Sequence, residues 1–162
     1  MTNIIIILTM LLLNNDNHQV FFLETPAEVF TNPFGLYKTS VYGSPYVYMK
    51  DISSNTEAGW ITSIKGKVDN FFSVDIEELN LKNVWVHKGD IGINIQNYDS
   101  IPIPIYSSLD TINSSKQYVF YSYTCAIYDI SENYFFVYIP ILNIYGWIDR
   151  VYLCGDPYTT CN

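Results

Sequence analysis

Two stretches of this chain repeat one another. Asp69 to Ile76 reads DNFFSVDI and Glu132 to Ile139 reads ENYFFVYI, and the copies start 63 residues apart. The common pattern is acid, Asn, aromatic, aromatic, any residue, Val, any residue, Ile. Trp85-Val86 follows Asp69 by 16 residues, and Trp147-Ile148 follows Glu132 by 15. Upstream, Leu36-Tyr37 is echoed by Ile105-Tyr106, each ahead of a loop containing Ser and Thr. Self-similarity at a fixed period means that one supersecondary unit is used twice. Each unit must then bury an apolar face within roughly 60 to 70 residues.

The unit reads as β-structure. The chain has no long apolar stripe of helical period; short β-branched and aromatic runs are punctuated by Gly, Pro, Asn, Asp and Ser, which is the signature of strands and turns. Successive strand residues face opposite ways, so Phe72, Val74 and Ile76 share one face, as do Phe135, Val137 and Ile139. The fifteen Tyr and nine Phe suit strands, and AT-rich coding DNA would give the same bias. The expected division is a first unit over 26–96, a linker over 97–104 and a second unit over 105–162. Pro102 and Pro104 cannot both donate to a central ladder, which marks IPIPI as the entry to an edge strand.

Ile4 to Leu13 is an unbroken apolar run that ends in NNDN. It falls short of the roughly 20 residues that span a bilayer and matches the hydrophobic region of a secretory signal. Residues 1–16 are therefore expected to be a signal peptide. The rest would be exported to the periplasm or cell envelope, with no membrane insertion after signal removal. No Lys or Arg precedes the run, and a buried N-terminal strand is the competing reading.

The net charge is −8, with eight scattered basic residues. Without a basic cluster to neutralise phosphates, nucleic acid is excluded as the expected partner, and anionic membrane surfaces are disfavoured. An acidic surface serves solubility and is compatible with a basic protein partner.

The strand, the turn and then Gly146-Trp147-Ile148 together resemble the bacterial SH3-like domain. The aliphatic-Tyr near each unit's start and the tail from Cys154 to Cys161, CGDPYTTC, are similar to that family too. The first copy, Asn83-Val84-Trp85-Val86, lacks the Gly before Trp. The resemblance covers residues 30 to 162. It implies an all-β fold of two tandem small SH3-like β-barrels, each partly open and of five or six strands. It also implies a non-catalytic targeting or binding role at the cell envelope, directed at cell-wall peptide or a protein. Many such proteins carry a cell-wall hydrolase domain, for which these 162 residues are expected to leave no room.

SH3-type grooves grip extended peptides with aromatic rings. The candidate ligand-binding residues are Tyr37, Tyr106, Trp85 and Trp147, which recur in both copies, and Tyr46. Tyr46 lies in YGSPYVY, Tyr42 to Tyr48, where Gly43 and Pro45 are expected to shape a turn. The competing reading is that these rings fill the barrels.

Chemistry finds little support in the residues. No motif surrounds a Cys125–His87 pair, and the two His and three Cys lack zinc-site spacing,. No calcium-loop pattern occurs, and Gly59 to Lys67 departs from a phosphate loop, with Val68 where a hydroxyl belongs. Glu77-Glu78 reads as a solvated hairpin tip, not a glycosidase pair. No enzymatic activity, metal or cofactor is expected. In an oxidising compartment Cys154–Cys161 is the preferred disulfide, leaving Cys125 as a buried thiol; Cys125 paired with either tail cysteine is the alternative. The functional expectation is recognition of a cell-wall peptide or glycan, or of an envelope protein. Its alternative is a structural or inhibitory factor that sets an acidic surface against a basic protein.

Overall fold

The computed structural model describes residues 20–35, 38–54 and 59–155. The expected signal segment, Tyr37 and Cys161 lie outside the described residues. What is described is all-β. The first strands are β1 (Phe21–Thr31), β2 (Lys38–Ser44), β3 (Val47–Ser53), β4 (Ile61–Val68), β5 (Phe71–Ile76), β6 (Leu81–His87) and β7 (Ile91–Ile95). The rest are β8 (Ile103–Tyr106), β9 (Lys116–Val119), β10 (Tyr123–Ile130), β11 (Tyr134–Ile139), β12 (Ile144–Asp149) and β13 (Leu153–Cys154).

These strands form one antiparallel sheet in the order β3-β2-β6-β5-β4-β1-β7-β10-β11-β12-β8-β9, with β13 also paired to β7. The sequence of pairings repeats. β1 pairs β4, which leads through β5 and β6 to the β2–β3 hairpin. β7 pairs β10, which leads through β11 and β12 to the β8–β9 hairpin. β7 stands between the two series. Its Gly92 is opposite Phe30 of β1 on one side and Ala126 of β10 on the other. Further along, Asn94 and Ile95 take β13.

The repeat also holds locally. Each of the β5–β6 and β11–β12 connections is a single 3-10 turn, Glu77–Leu79 and Pro140–Leu142, closed by Asn80 or Asn143 with φ of 51° and 53°. Asn tolerates this left-handed conformation better than other side chains. Glu77 and Glu78 are exposed on the first of these turns, as the hairpin-tip reading expected. The paired triads are buried as alternation dictates: Phe72, Val74, Ile76, Phe135, Val137 and Ile139 are all at 0% exposure. Each such side chain contributes roughly 1.5–3 kcal/mol. The buried side chains of both series form one contiguous cluster.

Polar contacts tie the two series together. Lys67 of β4 and Lys88 reach the same Asp129 oxygen of β10, at 2.6 and 3.5 Å. Arg150 donates to the carbonyls of Glu132 and Thr25, and the Glu24 amide donates to the Glu132 carboxylate.

A different network covers the outer face of β4–β6. Lys65 lies 2.6 Å from Asp75 and donates to Asn83, whose own amide donates to Asp75. Partial burial pulls the Asp75 carboxyl upward, but the hydrogen bonds from Lys65 and Asn83 outweigh it and leave the group below its ordinary value. A depressed folded-state pKa gives stability that is present above the unfolded value and lost as pH falls through the folded one. Asp75→Asn is therefore expected to cost up to about 1 kcal/mol at neutral pH. The difference from the parent should close as both are titrated below the carboxylate range, measured by urea unfolding across pH.

Candidate functional site

The β2–β3 hairpin brings a group of accessible rings together around a buried one. Pro45 and Tyr46 form its two-residue turn, between Ser44 and Val47. Proline fixes its own φ, and in one of the two turns that favour it at this place the next residue takes positive φ. Tyr46 does so, at φ 68°. The conformation is costly for a bulky residue, and contacts of its hydroxyl and its ring hold it. The Tyr46 hydroxyl donates to Asp69 at 2.6 Å, and its ring meets Phe71 edge-on at 5.1 Å. Tyr46 is still 61% exposed.

Phe71 is the floor of the patch, at 2% exposure. Strand pairing sets it opposite His87, with ring centroids 4.3 Å apart. Tyr42 packs edge-on against Phe71 at 5.0 Å and against His87 at 5.1 Å, and its hydroxyl lies 3.1 Å from His87 Nε2. Tyr48 meets Tyr42 edge-on at 6.0 Å and is largely exposed. Desolvation first, and the Asp51 carboxylate second, push the Tyr48 hydroxyl upward. Tyrosine hydroxyls, a histidine and a carboxylate thus fringe an apolar floor. That combination grips an extended chain by ring contacts and orients it by hydrogen bonds.

Of the residues expected from sequence, Tyr46 belongs to this patch. Trp85 is half-buried on β6, opposite Ser73 and Tyr42. In the second series Trp147 stands opposite Tyr106 in the same way. The register therefore makes Tyr42 the counterpart of Tyr106. The second patch is sparser: Tyr106 meets Tyr134 edge-on at 6.1 Å, with Lys116 Nζ 5.2 Å from the Tyr106 ring. Trp147 leans against Phe136 at 5.3 Å on the outer face of β11–β12. Tyr42 and Tyr48 bound the YGSPYVY stretch already singled out in the sequence, whereas Phe71 and His87 join the site only through the fold.

A cleft of about 220 Å³ opens where β1 meets the second series, lined by Pro26, Glu28, Ile93, Phe135, Arg150 and Gly155 among others. Arg150 is already engaged there by Glu132 and Thr25, so its charge serves the contact between the series. Cys125 is fully buried, its thiol donates to the Ile93 carbonyl, and burial pushes its pKa far up, which keeps it from acting as a nucleophile. Cys125 is free, whereas Cys154 is disulfide-bonded. Among the described residues no group of three or more His, Cys, Asp or Glu is placed to hold a metal ion.

No protein-family model matches the chain, and no curated protein matches it. Solved structures similar to it include NlpC2 from Trichomonas vaginalis, at 14% identity over 86% of this chain and 51% of that one, with a TM-score of 0.33. NlpC1 from the same organism is similar at 16% identity over 85% of this chain and 49% of that one, with a TM-score of 0.34. The chain spans about half the length of either.

Proposed function

We propose that this protein is a non-catalytic binding module of the bacterial cell envelope, which grips an extended cell-wall peptide on the patch above Phe71. The observation that carries the reading is the exposed ring of Tyr46 over that buried floor, held at positive φ by Asp69, with exposed Tyr48 beside it against Tyr42. In this reading each series of strands is one SH3-like barrel. β7 serves as the last strand of the first and the first strand of the second, which accounts for the repeated pairing order around it. The Gly146-Trp147-Ile148 motif supports the same assignment. The protein works outside the cytoplasm, where the disulfide at Cys154 persists,.

The test is retention on insoluble cell wall, with a parallel capture from envelope extract. The parent protein is expected to be retained, and Tyr46→Ala with Tyr48→Ala to lose about tenfold or more of its affinity, since clustered aromatic anchors dominate such interfaces. Retention unaffected by both changes would remove the patch from the reading. Absent retention with one envelope protein enriched would move the partner from wall to protein.

A further inference from the structure

We propose that the outer face of β10, β11 and β12 is a second binding site, which takes the guanidinium groups of an arginine-bearing peptide. The proposal concerns residues other than the patch above Phe71 and does not rest on it. Five rings make up this face. Tyr138 stacks on Tyr145 at 4.2 Å, and Tyr145 lies nearly parallel to Phe136 at 6.3 Å. Tyr128 meets Tyr145 edge-on at 5.9 Å, and Trp147 closes the row against Phe136. Tyr145 is 51% exposed and Tyr128 37%.

The repeat shows that the fold does not need Tyr128 or Tyr138 at their positions. Tyr128 occupies the bulge of β10, between Ile127 and Asp129, and Lys65 occupies the matching bulge of β4, between Ile64 and Gly66. Tyr138 of β11 answers to Asp75 of β5 by the same register. Where the first series carries the Lys65–Asp75 ion pair, the second carries Tyr against Tyr. The cation and its partner have both been replaced by π-faces.

Charge complementarity decides the occupant. Ring faces attract cations, and guanidinium stacks on them better than ammonium because it is planar and weakly hydrated. Among the described residues, the four cation–ring contacts fall on Phe21, Phe72, Tyr106 and Phe135, none of them on this face. Tyr128 lies over Gly89, beside Asp90. Burial pushes the Asp90 carboxyl upward, with His87 acting in the opposite direction, and a bound cation would compensate that carboxylate. The net charge of −8 adds long-range attraction of the same sign,.

The probes are the peptide Gly-Arg-Gly-Arg-Gly, its twin with Gln for Arg, and a neutral chitooligosaccharide, each titrated calorimetrically into the full chain at low salt. The Arg peptide is expected to bind at least tenfold more tightly than the Gln twin. The decisive variant is Tyr128→Lys with Tyr138→Asp, which leaves the net charge unchanged and copies the pair that the first series already accommodates. It is expected to keep the thermal midpoint and to weaken the Arg peptide at least tenfold. Phe136→Leu with Tyr145→Leu, which keeps apolar cover but removes two rings, should weaken it as well. Equal binding of the Gln twin, preference for the neutral sugar, or Arg-peptide affinity unchanged in both variants would overturn the proposal. The last result would assign the binding to acidic charge in general.

Discussion

Phe135→Ala is expected to lower the free energy of unfolding by about 3–5 kcal/mol, the range for truncating a buried aromatic. Phe135 is fully buried. Its ring is also the surface on which Arg150 lies, 5.3 Å from the centroid, while Arg150 joins the Glu132 and Thr25 carbonyls across the two series. The substitution thus opens a cavity and loosens the contact between the series together. A domain of this size has only about 5–15 kcal/mol of stability, so the loss is a large share. Phe136→Ala, one residue on and facing outward, is expected to cost about 1 kcal/mol, the worth of its ring contacts. Urea unfolding with unchanged slope checks both. Equal losses at the two positions would contradict the assigned strand faces.

The second large effect belongs to Gly146. A Cβ there would run into Cγ2 of Ile105, and it would lie 2.8 Å from the Tyr106 carbonyl oxygen. The corresponding place in β6 holds Val84, opposite Val74 as Gly146 is opposite Val137. The difference is compensated by a neighbour. Counting back from the paired tyrosines, Val41 stands where Ile105 does, so Val with Val in one series becomes Gly with Ile in the other. Gly146→Val is therefore expected to cost about 3 kcal/mol through overpacking. It should also strip amide protection from β8 and β9, because the β12–β8 contact at Trp147 and Tyr106 is forced apart. Adding Ile105→Val should recover part of the loss but not all, since the Tyr106 carbonyl stays in the way. The double-mutant cycle measures that coupling, and strict additivity would show that the two side chains do not compete for space.

The faces of β5 and β11 were legible because alternation is a local property. Phe72, Val74 and Ile76, with their counterparts, are all buried. The binding residues were less so. Matching Leu36-Tyr37 to Ile105-Tyr106 selects Tyr37, but the pairing of β2 with β6 sets Tyr42 opposite Trp85. That register is set between strands far apart in the chain and leaves no local mark in the sequence. Gly43 and Pro45 suggested the turn; Pro45 forms it with Tyr46, whereas Gly43 lies within β2. Phe71 and His87 meet through a pairing across 16 residues, which no motif encodes. On the β10–β12 outer face the bulge at Tyr128 breaks the alternation of β10 and hides that ring, whereas Phe136 and Tyr138 follow the alternation of β11. The exchange of an ion pair for rings lies in the strand register of the two series, which residue spacing does not carry.

The most direct test of the central claim is an NMR titration of the protein with soluble cell-wall peptide fragments, followed at the ring and backbone signals of the β2–β3 hairpin and β5. Saturable shifts are expected, confined to Tyr42, Tyr46, Tyr48, Phe71 and His87 and abolished in Tyr46→Ala with Tyr48→Ala. Shifts centred elsewhere, or none at concentrations that give retention on intact wall, would contradict it.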